Sequence, residues 1–526
     1  MARIYLYETT ADTGAGDVAI RMSSGAYTHP SAPGVFDPRI VTERTGLSVQ
    51  RSIFSGGEFG GGDTQYGVIE FANPDGGLDA WLNYAFGRDA TLKIGDDAAP
   101  YEEFTTVVRA KAGRLEPSID TFALGWKSRL DELDQPASPA TFAGTNSGAV
   151  GLEGTEDDIK GQRKPRASGA PRNISPVLVN ASLRIFAWNY DKDGNRVASA
   201  SVDAVRFAGS EWTLGADHPD AASLQAAAPT QGIYDTCLAE SLVMLGGSSP
   251  LNGQVTADVT IEPAYGERYA ASLGDWWLED AGVAPAETSA DDIAALNIAA
   301  PHEIGIYVRD ETYRQILDQI FASIAAWYAP DAQSVYRFRQ VTAPVDPAPV
   351  TFRRFGPGIA AGASEFDLIS LAPISDPSET WLPAKEVALR YGRNWTPMTP
   401  LDVAAGVTDE EVRAFLTNEW RATDPAVDAG IAARYPDAKV RSFDTLLLEQ
   451  ADAEAIRDVI AGIFGAQRRE YQATVKTDAS LLGDIELGDT VAIVLARLLM
   501  GGGKLFNIHG SRLSSSTETA EVRLWG

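Results

Sequence analysis

The chain has one cysteine and four histidines in 526 residues, no apolar run long enough to cross a bilayer, and far fewer basic than acidic residues. Each scarcity excludes something. A lone Cys237 cannot build an intramolecular disulfide framework and fits a chain made in a reducing compartment. It lies among Tyr234, Leu238 and Val243 with no histidine nearby, so it reads as a small buried hydrophobe and not as a reactive thiol. The histidines, His29, His218, His302 and His509, are far apart, and none has a second His or Cys at ligand spacing; no structural metal is expected. The longest apolar stretch, Val491 to Met500, contains Arg497 and is too short to span. The opening MARIYLYETT lacks a basic region followed by a long apolar one, so the expectation is synthesis in the cytoplasm without stable membrane insertion.

The shortage of basic residues, 44 Lys and Arg against 72 Asp and Glu, leaves a formal charge of −28 with no separate acidic tail. Duplex binding depends on Lys and Arg displacing phosphate counterions, so a sequence-specific DNA binder is not expected. The length exceeds what one hydrophobic core serves, and roughly three or four folding units are expected. With 44% apolar and 22% charged residues the chain is globular in composition, and 49 Gly with 29 Pro predict many turns, hence strands.

From Met1 to about Leu133 short apolar runs alternate with turn residues: Ala2 to Tyr7, Val18 to Met22, Tyr66 to Phe71, Thr91 to Ile94, Phe104 to Ala110 and Thr121 to Trp126. This spacing predicts a β-barrel or sandwich. A helix is expected at Leu78 to Phe86, with Leu78, Trp81, Leu82 and Phe86 on one face. Residues 136–171 are rich in Pro, Gly, Ser and Thr and end in the basic run GQRKPR, which reads as a loop or strap and not as a core element. A hairpin turning at Asp193-Gly194 should join ISPVLVNASLRIFAW to VASASVDAVRFAG. Tyr313, Ile316, Leu317, Ile320, Phe321, Ile324, Trp327 and Tyr328 recur at helical spacing behind a capping box of Thr312 and Gln315. Ile456, Val459, Ile460, Ile463 and Phe464 repeat that logic, closed near Gly465. A weaker helix is expected from Thr408, with Glu411 as its capping partner. The last 56 or so residues return to strands, and the sum is a β-dominated α+β, multidomain chain.

Enzymatic readings each lack a required part. LMGGGKLF resembles a phosphate-binding loop, but Leu505 stands where Ser or Thr must hold magnesium and Leu498 where the first Gly belongs. Asn189, Asp191, Asp193 and Gly194 match the first half of a calcium loop whose twelfth position, a bidentate Glu, is Ala200. No GxSxG elbow occurs. Carboxylate pairs can be drawn from 72 acids in countless ways and carry no information. Trp81, Trp327 and Trp525 sit in apolar patterns and read as core, not as a sugar platform. SGGEFGGGDTQYG, residues 55–67, precedes a strand and is no dinucleotide fingerprint; it is either a strand-edge turn or a loop packed at a subunit contact where only Gly lets backbones approach. No catalytic, cofactor-binding or metal-binding residue is assigned, and the chain is not expected to be an enzyme.

The sequence also echoes itself. Gly95-Asp96, Phe104, Gly113 and Trp126 recur in order as Gly488-Asp489, Phe506, Gly510 and Trp525. Either two related β units or the shared turn chemistry of two hairpins accounts for it.

Four stretches resemble hub proteins of the baseplate or tail tip of long-tailed, siphovirus-like bacteriophages, prophages and gene transfer agents. They are YGVIEFANPDGGLDAWLNYAFGRDATLKIGD (66–96), LEGTEDDIKGQRKPRASGAPRNISPVLVN (152–180) with its Gly-x-x-Lys-Pro-x-x-x-Gly core and Asn173, QVTADVTI (254–261), and the portion from about Val387 with YGRNWTPM, DTLL, LGDTVAI and the final LWG. The resemblance implies two tube-like β-barrel domains with additional β and α/β domains: a first barrel at 1–135, a strap loop and β domain at 136–265, a helical connecting region at 266–330, and a second barrel at 331–526 with a helical insertion at about 400–470. It further implies a structural virion protein that trimerises at the end of the tail tube. Its partners would be the distal tail protein, the tape measure protein and fibre proteins, with genomic DNA passing through the lumen without specific binding during ejection. An acidic wall suits such passage. A distal tail ring protein, or a tail-associated cell-wall hydrolase or carbohydrate-binding tip protein, are the alternatives.

Overall fold

A computed structural model describes the chain except for residues 1–2, 43–47, 54–58, 148–149, 249–251, 263–265, 356–363, 375–382, 477–485 and 515–518. The fold is β-dominated and multidomain, as the sequence pattern predicts.

The first sheet has six antiparallel strands in the order Asp17–Ser23, Arg3–Asp12, Asp89–Asp96, Thr105–Pro117, Thr121–Lys127 and Val68–Ala72. Alternate residues such as Tyr7, Leu92, Val108, Leu124 and Phe71 point inward and fill it, while Ile4 and Leu6 on the other face pack against Tyr27, Phe36 and Phe104. Residues 37–41 close the ring. On one side Ser23 N–H donates to the Asp37 carbonyl (2.8 Å), and on the other Val41 N–H donates to that of Glu70 (2.9 Å). The NPDG turn clamps this closing segment, because Arg39 forks onto both Asp75 oxygens (2.7 and 2.8 Å). That pairing holds Asp75 well below the usual carboxylate range. The helix expected at Leu78 to Phe86 is only one 3₁₀ turn, Asp79–Asn83. Leu78 and Trp81 are buried but Leu82 is 57% exposed, so the apolar spacing serves a turn packed on the barrel mouth.

The second barrel is a closed ring of six strands. Its order is Thr490–Val494, Val350–Arg353, Glu365–Pro373, Glu470–Lys476, Thr519–Trp525 and Lys504–Ser514, and the last pairs back onto the first from Thr490↔Asn507 to Ile493↔Lys504. Between its neighbouring strands Glu365–Pro373 and Glu470–Lys476 the chain leaves to form an insertion. There Ala384–Tyr391 is flanked by Arg421–Ala422 and Ala426–Val427 on one edge and by Lys439–Asp444 on the other. Helix Gln450–Phe464 covers one face, burying Ile456 and Ile460 in the same cluster as Val387 and Leu389. The weaker helix runs Glu410–Thr417, and its cap is Asp409, not Thr408. The Asp409 carboxylate accepts from two backbone N–H groups, which a threonine hydroxyl does less well.

Between the barrels lie a β domain and a helical layer. The helix behind Thr312 and Gln315 has the expected capping box but ends at Ser323. Ala325 takes a left-handed φ of 51°, and Trp327 and Tyr328 belong to strand Ala326–Pro330; helical spacing cannot see this reversal, because every residue involved is buried. The hairpin expected across Asp193-Gly194 shrinks to one bridge, Tyr190↔Arg196. Trp188 and Tyr190 enter different cores, so the strands diverge: Ile185–Ala187 pairs with Leu242–Leu245, and Ser201–Phe207 with Val255–Thr260.

The strap runs through the interior. Arg166, in strand Arg166–Gly169, is 2% exposed and donates to Asp280 (2.7 Å), the Ala137 carbonyl (2.6 Å) and the Tyr313 hydroxyl (3.3 Å). Tyr313 donates to the same Asp280 oxygen (2.6 Å), and the Trp277 ring lies 4.7 Å from the guanidinium. Lys164 reaches Glu153 (2.8 Å) and the Gly194 carbonyl (3.1 Å). Within GQRKPR the end, Lys164 to Arg166, is therefore core, since its buried cations each find an anion, while Gly161 and Gln162 stay exposed as a loop should.

Two outcomes are expected. Arg166→Met leaves Asp280 buried without its cation and should lower stability by about 3–5 kcal/mol, read as a fall in the urea midpoint. His509 lies inside the second barrel, where burial, with a smaller contribution from Arg523, pulls its pKa down to about 3 despite Glu470 at 3.7 Å. The unfolded chain binds a proton near pH 6.5 that the folded ring refuses, so this group's stability contribution is complete above 6.5 and is lost as pH falls toward 3. Between pH 7 and pH 5 the parent should lose ~2 kcal/mol more than His509→Gln, measured by urea unfolding at both pH values.

Candidate assembly surface

The two barrels are stitched together by strands whose sequence lies within the first. Ser48–Ser52 pairs antiparallel with Lys504–Ser514, from Ser48↔Ser514 to Ser52↔Gly510, and Asp63–Tyr66 pairs in turn with Ser48–Ser52. The backbone extends the second barrel's sheet while the Val49 side chain fills the core of the first. Two positions on, Arg51 is buried and meets Glu486 at 3.3 Å. Burial nevertheless holds the Glu486 carboxyl above its ordinary range. Tyr66, packed 6.2 Å from the Trp126 ring, is pushed up to about 12 by burial.

Residues 59–67 of the glycine-rich run fall within the described residues. Gly60–Gly61 runs parallel to Ala326–Pro330, and Gly62 N–H donates to the Tyr328 carbonyl (2.8 Å). A Cβ on Gly62 would sit 2.5 Å from the Ser52 carbonyl oxygen and 2.8 Å from Ala329. Close backbone approach is thus what these glycines supply, and it is made within one chain.

The internal echo has a structural counterpart. Asp89–Asp96, Thr105–Pro117 and Thr121–Lys127 form a meander, as do Thr490–Val494, Lys504–Ser514 and Thr519–Trp525. In each, the register slips in the middle strand beside the echoed glycine: between Ala112 and Leu115, and between Ile508 and Gly510. The Gly-Asp pairs do not superpose in role, since one ends a strand and the other precedes one.

Apolar side chains stand out at hairpin tips. Ile119 is 91% exposed after Thr105–Pro117, and Leu499 is 100% exposed after Thr490–Val494. Leu498 and Leu499 both have φ near +60°, and this turn is what LMGGGKLF forms before Lys504 begins its strand. No sequence signal marked these tips.

The residues weighed for chemistry stay dispersed. Among the described residues no three His, Cys, Asp or Glu side chains are gathered to hold a metal. Asp191 instead caps its own turn by accepting from Asn195. His218 sits 3.1 Å from Asp235 and His302 3.0 Å from Asp452, in separate parts of the fold. Cys237 is fully buried, and burial pushes its thiol up. Trp327 and Trp525 are buried, as is Trp81. No described helix is long and apolar enough to cross a membrane.

No protein-family model matches the chain, and no curated protein is significantly similar to it in sequence. Among solved structures it is similar to the 43 kDa tail protein of prophage MuSo2 from Shewanella oneidensis, with a TM-score of 0.41 and 7% identity over 99% of this chain and 98% of that one. It is also similar to a tail protein from Neisseria meningitidis, at TM-score 0.35 and 10% identity over 91% of each chain. A third is prophage tail protein gp18 from Listeria monocytogenes, at TM-score 0.34 and 8% identity over 100% of this chain and 94% of that one. These three are tail proteins, two of them from prophages, and each is similar at 10% identity or less.

Proposed function

We propose that this chain is the hub of a phage-type tail tip or baseplate, a structural virion protein that trimerises and caps the tail tube. The observation that carries the reading is the pair of six-stranded barrels in one chain, fastened by a strand that serves both. Three copies of such a chain present six barrels about an axis, the number needed to continue a sixfold tube into a threefold tip. The fastening matters because independently hinged barrels would not hold a ring. Closing sheets into rings also removes the exposed strand edges that would otherwise aggregate in a β-rich particle.

The charge of −28 agrees with a lumen through which DNA slides, since few cations are left to capture phosphate. The exposed tips at Ile119 and Leu499 would meet neighbouring copies, the distal tail protein or fibre proteins, with the tape measure protein entering the lumen. A distal ring protein, usually built on one barrel per chain, needs six copies for the same ring; two barrels per chain favour three.

Sedimentation equilibrium of the purified chain should give a trimer, and a reconstruction of intact particles should place six barrels around the lumen at the tail tip. A chain that stays monomeric at high micromolar concentration and is missing from purified particles overturns the proposal. Sixfold copy number would move it to the distal ring.

A further inference from the structure

The insertion in the second barrel carries a preformed groove that the hub role does not use. Two adjoining compartments of about 460 and 400 Å³ share Tyr391, Gly392, Phe415 and Arg421. Each is of the size that small-ligand sites take, about 300–1,000 Å³. The first extends to Trp420, Asn418 and Glu411; the second extends to Glu449, Gln450 and the Arg206–Asp258 pair.

Its aromatic walls are held in place by neighbouring cations. Arg206, forked onto Asp258 at 2.9 and 2.7 Å, stacks 5.5 Å from the Phe415 ring. Arg393 lies 4.1 Å from Trp395 and 5.3 Å from Trp420, with Arg390 5.8 Å from the same Trp420 ring. These contacts fix ring orientation before any ligand arrives. Arg421 differs from these cations. It is exposed, lies 5.3 Å from Phe415, and among the described residues has no carboxylate within ion-pair distance.

The lining mixes functions in a way that narrows the ligand. Glu411 and Glu449 only accept hydrogen bonds, Arg421 only donates, Arg172 and Arg206 are already engaged by Asp203 and Asp258, and the amides of Asn418 and Gln450 do both. A polyphosphate or single-stranded nucleic acid would meet Glu411 and Glu449 as like charges, on a chain of charge −28. A purely apolar ligand would leave all of these groups unpaired. Hydroxyls donate and accept, and the C–H face of a pyranose lies flat on an aromatic ring. We infer that the groove binds a short oligosaccharide, with Trp420 and Phe415 beneath the sugar rings and Arg421 taking the carboxylate of an acidic sugar.

This inference concerns the groove between the insertion and the β domain and stands apart from the oligomeric state. The test applies the full chain to an array of bacterial surface glycans, followed by calorimetry with oligogalacturonides and with neutral cello-oligosaccharides. Uronate-bearing glycans should be retained. Arg421→Gln and Asn418→Ala, both at exposed positions, should each weaken oligogalacturonide binding by about tenfold or more with unchanged melting, while Leu499→Ser binds as the parent does. Arg421→Gln should also erase the preference over the neutral sugar. The inference is overturned by no binding at millimolar glycan, by binding that both groove substitutions leave intact, or by oligothymidylate or an acidic peptide displacing the sugar.

Discussion

One strand serves two cores, and the arrangement of the molecule follows from it. Ser48–Ser52 spends its backbone hydrogen bonds on the second barrel and its Val49 side chain on the first. A strand can do this because its two valences are orthogonal: ladder bonds lie in the sheet and side chains stand perpendicular to it. Neither barrel can then move against the other without breaking a ladder or emptying a core position. Ile53, at the end of the same strand, enters the large cluster that also holds the helical layer, so the lock extends to a third body.

A second lock works by charge. Arg166 joins the strap to helices Ala270–Asp280 and Tyr313–Ser323 through one guanidinium. A buried ion pair is weak evidence for net stability, because desolvation offsets much of its attraction. It is good evidence for register, since any slip strands a charge away from water. The acidic surplus of the chain therefore coexists with interior cations that have dedicated acids, as Arg206 has Asp258 and Lys164 has Glu153; buried Arg184 has no such acid among the described residues. Arg421, exposed in the groove, also lacks a paired acid among the described residues, and there a ligand can reach it.

Much of the fold was legible wherever one face of an element is wet. Strand Asp89–Asp96 of the first barrel shows the two-residue alternation of Ala90, Leu92 and Ile94, and helix Gln450–Phe464 shows the helical period, since each has a polar side. Legibility failed where everything is buried. Residues 324–330 keep a helical spacing of apolar groups while running as strand, because a fully buried segment has no polar face to mark its period. GQRKPR failed for the converse reason. Its charges signalled solvent, and only the acids brought to it from distant sequence, such as Asp280, make the interior tolerable.

By itself the sequence determined the dominance of strands, the absence of complete catalytic signatures and the acidic surplus, because these depend on composition and on neighbours a few residues away. Tertiary structure alone decided that Ser48–Ser52 and Asp63–Tyr66 join the other barrel's sheet, that Lys164 and Arg166 are core, and that Phe415, Trp420 and Arg421 meet Arg206 across a groove. Those depend on which distant segments share a ladder or a charge, and pairing over hundreds of residues leaves no periodicity in the chain that makes it.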